Sequence, residues 1–273
     1  MVRVSDRGAV IAKTPLPSVE DNVVEVDTRL VTKTDGHREG ETRIEARGEF
    51  ADLMRSFVAA AEAKGKDTML AALAQQRGLT GEFDMDAPAW TDTSEPYRIT
   101  TRWKTPKPTT PADNGLRVPP TFSPVIPTLE LFFGAIDPKK RVYAAGCRAG
   151  RTVYTVHMTL PENVTSIKLP PVVKRNTPEF SYTEEWLRNG RNLQRRTEIR
   201  SSIATRVCSP AEIDEVDTAF RALQKRTDPV VYFAHAAPAA SAARPGLLQQ
   251  FFGGQQPAAV QRPPARPAPQ TAR

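Results

Sequence analysis

Residues 177 to 210 read TPEFSYTEEWLRNGRNLQRRTEIRSSIATRVCSP. The Asn189-Gly190 pair in the middle constrains the fold more than any other dipeptide in the chain. Asn-Gly suits a two-residue turn whose residues need positive φ, so it predicts two antiparallel strands folded back on one another. With those two residues as the turn, Trp186 pairs with Leu193, Glu184 with Arg195, Tyr182 with Thr197 and Phe180 with Ile199. That register gathers the apolar side chains and one opposite-charge pair on a single face. Cross-strand pairs of this kind contribute roughly 0.2–1 kcal/mol each.

The same geometry bears on chemistry. Glu184 and Glu185 invite reading as an acid/base pair, but consecutive strand residues point to opposite faces and cannot serve one substrate atom. Arg195, Arg196 and Arg200 divide between the faces too, as charge partners and not as a phosphate cradle.

Residues 22 to 48 alternate in the same way. Val24, Val26, Thr28 and Leu30 form one row, and Thr42, Ile44 and Ala46 the next. Glu41, Arg43, Glu45 and Arg47 point away. A three-residue loop of Thr34, Asp35 and Gly36 pairs Val26 with Ile44 and keeps both rows on one face, whereas a two-residue Asp-Gly turn would split them. A helix follows, with Phe50, Leu53, Met54, Phe57, Val58 and Ala61 at helical spacing and Gly65 as its stop. A shorter helix turns Met69, Leu70 and Leu73 inward and ends near Gly78. Tyr97, Ile99, Thr101 and Trp103 then alternate on one strand. Residues 1–104 thus predict a small antiparallel sheet covered by a helix pair, an α+β layer.

Proline dominates residues 105–137, where TPKPTTPADNGLRVPPTFSPVIPT excludes a central strand or a helix interior and predicts an extended connector. Residues 138–236 predict a second, β-rich and sandwich-like domain that contains the Asn189-Gly190 hairpin. One helix spans 209–226: Ser209 is its N-cap, Pro210 its first residue, and Glu212 completes a capping box. Ile213, Val216, Phe220 and Leu223 make its buried stripe. PVVYF, at 229–233, predicts a final edge strand. Residues 237–273 are low in complexity and predict a disordered tail.

That tail decides how the charge is read. The formal net charge is +7, and Arg244, Arg262, Arg266 and Arg273, with no acid nearby, supply +4 of it. In the remainder acids and bases alternate, unlike the one-sided basic face of a nucleic-acid binder. No apolar run approaches the roughly 18 residues a membrane helix needs. The start, MVRVSDRGAV, lacks the apolar segment of a secretion signal. Nothing in the sequence calls for a cofactor.

Two cysteines are present. Cys208 precedes a helix N-terminus, a position that lowers thiol pKa, but a nucleophile also needs a histidine base and a third residue to orient it. His37 sits at a turn, His157 inside a strand, and His235 is followed by no carboxylate. An enzyme centred on Cys208 and His235 is the hypothesis to eliminate. No C-x-x-C or H-x-x-x-H spacing marks a metal site. Two states remain open: buried free thiols, or a Cys147–Cys208 disulfide whose loop of about 60 residues would contribute roughly 4 kcal/mol. Trp90, Tyr97 and Trp103 are the natural ligand contacts if exposed, and core filler if not.

TPEFSYTEEWLRNGRNLQRRTEIRS followed by RVCSPAEIDEVDTAFRAL resembles the C-terminal region of bacterial transglutaminase-like proteins that begin with a domain of unknown function. GRTVYTVHMTLPENVTSIKLPP resembles the strands that precede it, AVIAKTPLPS the segment leaving the transglutaminase core, and residues 22–104 the insertion after that. The family's Cys-His-Asp triad belongs to the core and has no counterpart here. The resemblance therefore implies a non-catalytic accessory half, partnered by a transglutaminase-like domain on a separate chain. Its members are exported, which implies a periplasmic parent and favours the disulfide. The alternative is an independent β-rich module binding polysaccharide or peptide.

Overall fold

Strands from both halves of the chain enter one sheet. The computed structural model describes residues 2–5, 8–11, 17–106, 121–124, 130–133, 143–162, 164–226 and 232–235. The tail expected to be disordered, residues 237–273, and most of the proline-rich connector lie outside them.

A small hairpin comes first, β1 (Val2–Ser5) with β2 (Gly8–Ile11). Then follow β3 (Val23–Thr32), β4 (Arg38–Ala46), the helices α1 (Glu49–Lys64) and α2 (Lys66–Gln76), β5 (Glu82–Asp86) and β6 (Tyr97–Thr105). A short helix, α3 (Glu130–Phe133), leads to β7 (Ala145–Gly146), β8 (Gly150–Thr159), β9 (Val164–Lys168) and β10 (Val173–Asn176). The chain continues through β11 (Phe180–Asn189), β12 (Asn192–Ser201), β13 (Val207–Cys208), α4 (Pro210–Arg226) and β14 (Tyr232–His235).

The main sheet has eight strands in the order β10-β11-β12-β8-β3-β4-β6-β5. Strands expected in an α+β domain at 1–104 and in a sandwich-like domain at 138–236 both belong to it. β8 lies parallel to β3 from Val23↔Arg151 to Val31↔Thr159, so the later strands extend the first sheet instead of stacking on it. Residues 1–236 accordingly form one unit, and its class is α+β. β14 pairs with β9 in a separate ribbon, not on an edge of the main sheet.

One face of the sheet is buried from side to side. A single row runs Glu184, Thr197, Tyr154, Val26, Ile44, Ile99 across six strands, and all six side chains are buried. α1 turns Phe50, Met54, Val58 and Ala61 toward this face, and α2 adds Leu70 and Ala74. The opposite face carries Glu185, Arg196, Asp27 and Arg43 in one row. The first hairpin has the expected register, with Val26 opposite Ile44 and the Lys33 N–H donating to His37 O at 2.8 Å across the loop.

The second hairpin is shifted by two residues. Asn189 pairs with Asn192, so Gly190, at φ 59°, and Arg191 form the turn. Trp186 therefore faces Arg195, Glu184 faces Thr197 and Tyr182 faces Ile199. A shift of two leaves every side chain on its predicted face.

Asn22, fully buried, ties the two halves together. Its Oδ1 accepts the Glu49 N–H at 2.8 Å and caps α1, while its Nδ2 donates to Ala149 O at 2.9 Å just before β8. Replacing Asn22 with Ala removes a helix cap and leaves a buried carbonyl unpaired. It should destabilise the fold by about 3 kcal/mol, read as a lower urea midpoint with an unchanged slope.

Candidate functional site

The most chemistry-like side chain on the inner face is Glu184, 2% exposed. Its Oε2 accepts the Tyr182 hydroxyl at 2.9 Å and the Thr197 hydroxyl at 3.3 Å, and Arg195 Nη2 lies 3.1 Å away. Its Oε1 accepts the Trp186 indole N–H at 3.2 Å. Arg195 also stands over the Trp186 ring, 5.8 Å from its centroid. All of these residues come from β11 and β12. The shifted register makes the cluster possible, because it puts Thr197 directly opposite the carboxylate and Arg195 on the diagonal. Four donors saturate the acid, which makes it a structural anchor of the hairpin. Glu185 faces the other way, as strand alternation requires.

Both sulfurs are joined in a Cys147–Cys208 disulfide. Cys208 pairs with Ala145 in the β7–β13 ribbon, and the Cys147 N–H donates to Arg206 O at 2.9 Å. Glu49 at the start of α1 reaches both flanking arginines, Arg148 at 3.2 Å and Arg206 at 3.0 Å. The capping box is present: the Ser209 N–H donates to Glu212 at 2.7 Å and the Glu212 N–H to Ser209 Oγ at 3.3 Å. The Ser209 N–H, and the Ser209 hydroxyl donating to the same oxygen at 2.8 Å, hold the Glu212 carboxyl below its ordinary range. With its sulfur bonded to Cys147, Cys208 is no thiol nucleophile for His235.

The candidate contact aromatics separate. Tyr97 and Trp103 are core residues, 1% and 2% exposed. The Tyr97 hydroxyl donates to Pro88 O at 2.7 Å, and burial pushes its pKa up. Trp90 is exposed. Of the three, Tyr97 and Trp103 are thus core filler, and Trp90 alone is open to solvent.

The outer face carries alternating charges. Arg151 meets Glu25 at 3.2 Å, Arg98 meets Glu45 at 3.0 Å, and Arg102 meets Glu41 at 3.1 Å. His157 Nε2 lies 3.1 Å from Asp27. Exposed pairs of this sort contribute little stability singly, but together they cancel the field a polyanion would need. At the β11–β12 turn the pattern changes. A groove of about 430 Å³ is lined by the polar groups of His157, Thr159, Asn189, Asn192 and Gln194 together with the cationic Arg188, beside an exposed leucine, Leu187. No signal read from the sequence marked this groove, since its residues reach it from three strands.

Among the described residues no three His, Cys, Asp or Glu side chains gather to hold a metal ion, and no helix is long and apolar enough to cross a membrane. No protein-family model, curated protein or solved structure matches the chain. The likeness to the transglutaminase-like region therefore rests on the residues quoted for it.

Two outcomes check this description. Unreduced, denatured protein should titrate no free thiol, and the Cys147→Ser/Cys208→Ser variant should lose about 4 kcal/mol of stability. Glu184→Ala should cost about 2 kcal/mol in the same unfolding measurement. That is below the usual loss for breaking a fully buried pair, because Arg195 keeps access to water.

Proposed function

We propose that this chain is a non-catalytic interaction module, of the accessory kind that follows the core in transglutaminase-like, cysteine-protease-like bacterial proteins. The observation that carries this reading is how its chemically capable side chains are used. Glu184 is saturated by four donors, the two sulfurs are bonded to each other, and His157 is held against Asp27 beside Arg29 on the charge-paired face. What the molecule offers to its surroundings is a broad, rigid, hydrogen-bonded sheet face. Such a face supports contact over the roughly 1,000 Å² or more that a specific interface buries.

A second reading, an independent peptide- or polysaccharide-binding module, is favoured by the groove at the β11–β12 turn. Its amide and hydroxyl groups match uncharged polar ligands, and Leu187 supplies an apolar contact. With Tyr97 and Trp103 in the core and Trp90 not among the residues lining the groove, the groove has no aromatic ring to stack on sugars, so peptide amides suit it better.

The test pairs the full chain with a purified transglutaminase-like core encoded next to its gene. Calorimetry should detect a complex at or below about 10 μM, an affinity near 7 kcal/mol. The chain alone should catalyse no glutamine–amine exchange. Absence of binding at about 100 μM core would remove the accessory reading, and turnover by the isolated chain would remove the non-catalytic one.

A further inference from the structure

The inner face of the sheet ends, near the loop that joins β3 to β4, in a group of donors without an acceptor among the described residues. Register places Arg38 between Thr32 on β3 and Thr105 on β6. One pleat back, Gly40 lies opposite Trp103. Gly40 allows the arrangement, because a Cβ there would run into Trp103 Cε2 and Cζ2. The indole nitrogen is bonded to Cε2, so it too lies over β4, on the face that Arg38 shares. Trp103 Nε1, Arg38 Nη1, Thr32 Oγ1 and Thr105 Oγ1 are all buried atoms without a hydrogen-bond partner.

Trp103 and Thr105 are 2% and 4% exposed. Burial holds the Arg38 guanidinium below the ordinary arginine range. Buried atoms without partners also occur at Thr101, Thr152, Ser201, His37 Nε2 and Arg77 Nη1, so one such atom by itself indicates nothing. The guanidinium and the indole N–H are different. They can only donate, and the register puts them on one face of adjacent strands, neither with an acceptor among the described residues.

The same molecule displays what such a set holds. On the same face of the same sheet, an indole N–H from Trp186, a guanidinium from Arg195 and a hydroxyl from Thr197 converge on the Glu184 carboxylate. At the Arg38 end the donor types recur, and among the described residues no carboxylate is bonded to them.

We propose that Arg38, Trp103, Thr32 and Thr105 form a binding site for a carboxylate supplied from outside these residues: an acidic side chain or C-terminus of a peptide, or a small free carboxylate. One guanidinium and one indole N–H match a planar, singly charged, two-oxygen group. A phosphate dianion would call for more cations than this face provides. The site goes beyond the interaction-module reading, since it would bind carboxylates whether or not a transglutaminase-like partner exists.

The test follows the three indole N–H signals of the ¹⁵N-labelled full chain, assigned with single Trp→Phe variants. Sodium acetate, a terminally blocked peptide with one internal Glu, a Gln-containing peptide with a free C-terminus, and sodium phosphate are titrated in turn. Sodium chloride keeps the ionic strength constant. The Trp103 indole proton should move downfield and saturate with at least one carboxylate, and the arm that binds tightest names the source. Arg38→Gln should weaken that affinity about tenfold, as expected for losing one charge-assisted hydrogen bond, with Arg38→Lys in between. The proposal is overturned if the Trp103 signal stays still in every carboxylate arm or follows ionic strength alone. It is also overturned if phosphate binds tighter than all carboxylates, or if a folded Arg38→Gln titrates like the parent. The unsubstituted protein alone decides the matter should Arg38→Gln fail to fold.

Discussion

The parallel contact between β3 and β8 is the interaction on which the rest of the structure depends. It joins segments more than a hundred residues apart, Val23 opposite Arg151 and Val31 opposite Thr159, and it converts two sets of strands into one surface. Parallel pairing pays a large loop-closure cost before any contact forms, so something must fix its starting point. Asn22 does this. Its side chain bonds to the N-terminus of α1 and to the carbonyl of Ala149, and its own carbonyl accepts the Arg151 N–H at 2.9 Å. Beside it Gly150 has no room for a side chain, because Phe50 and the Asn22 carbonyl occupy that space. Glu49 then carries the node outward to Arg148 and Arg206, which flank the disulfide. Entry to β3, start of α1, entry to β8 and cross-link are one connected assembly.

A sheet built this way is strongly one-sided. The helix pair and the cross-linked segment cover apolar rows, while the other face is set with arginine and glutamate on neighbouring strands. The alternation has a consequence for recognition. A face whose charges cancel locally neither steers polyanions nor repels acidic partners, so specificity must come from places where the cancellation stops. Two such places stand out: the groove at the β11–β12 turn, where amides and hydroxyls stand beside Arg188, and the unpartnered donors around Arg38.

What the sequence revealed and what it concealed follow from the physics of strands. Period-two alternation reports which face a side chain occupies, and it did so correctly for Val24 to Leu30, for Tyr97 to Trp103, and for Phe180 to Trp186. It carries no information about which strand lies next to which. The merger through β3 and β8 was therefore invisible, and a proline-rich connector looked like a boundary between domains. The β11–β12 register missed by two because Asn-Gly was given both turn positions, whereas Gly190 shares the turn with Arg191. The capping box at Ser209 was legible because all its parts lie within four residues. Asn22 was not, because its partners Glu49 and Ala149 are distant in sequence. Cys147 and Cys208 left thiols and disulfide both open on residues alone.

The two polar sites of the inner face also differ in energy. At Glu184 every donor has its acceptor, so burying the charge is offset by the bonds around it. At Arg38 each unanswered buried donor costs roughly 1–3 kcal/mol, against a total stability of about 5–15 kcal/mol for a domain. Leucine or valine at Thr32 or Thr105 would fit the strands at least as well and remove part of that cost. A glycine at position 40 adds to it, since glycine weakens a strand interior, and here it makes room for an indole whose N–H has no acceptor. Structural packing alone gives no reason for this combination. A carboxylate placed among these donors does, by satisfying the guanidinium, the indole and the hydroxyls together, as Glu184 does on the same face.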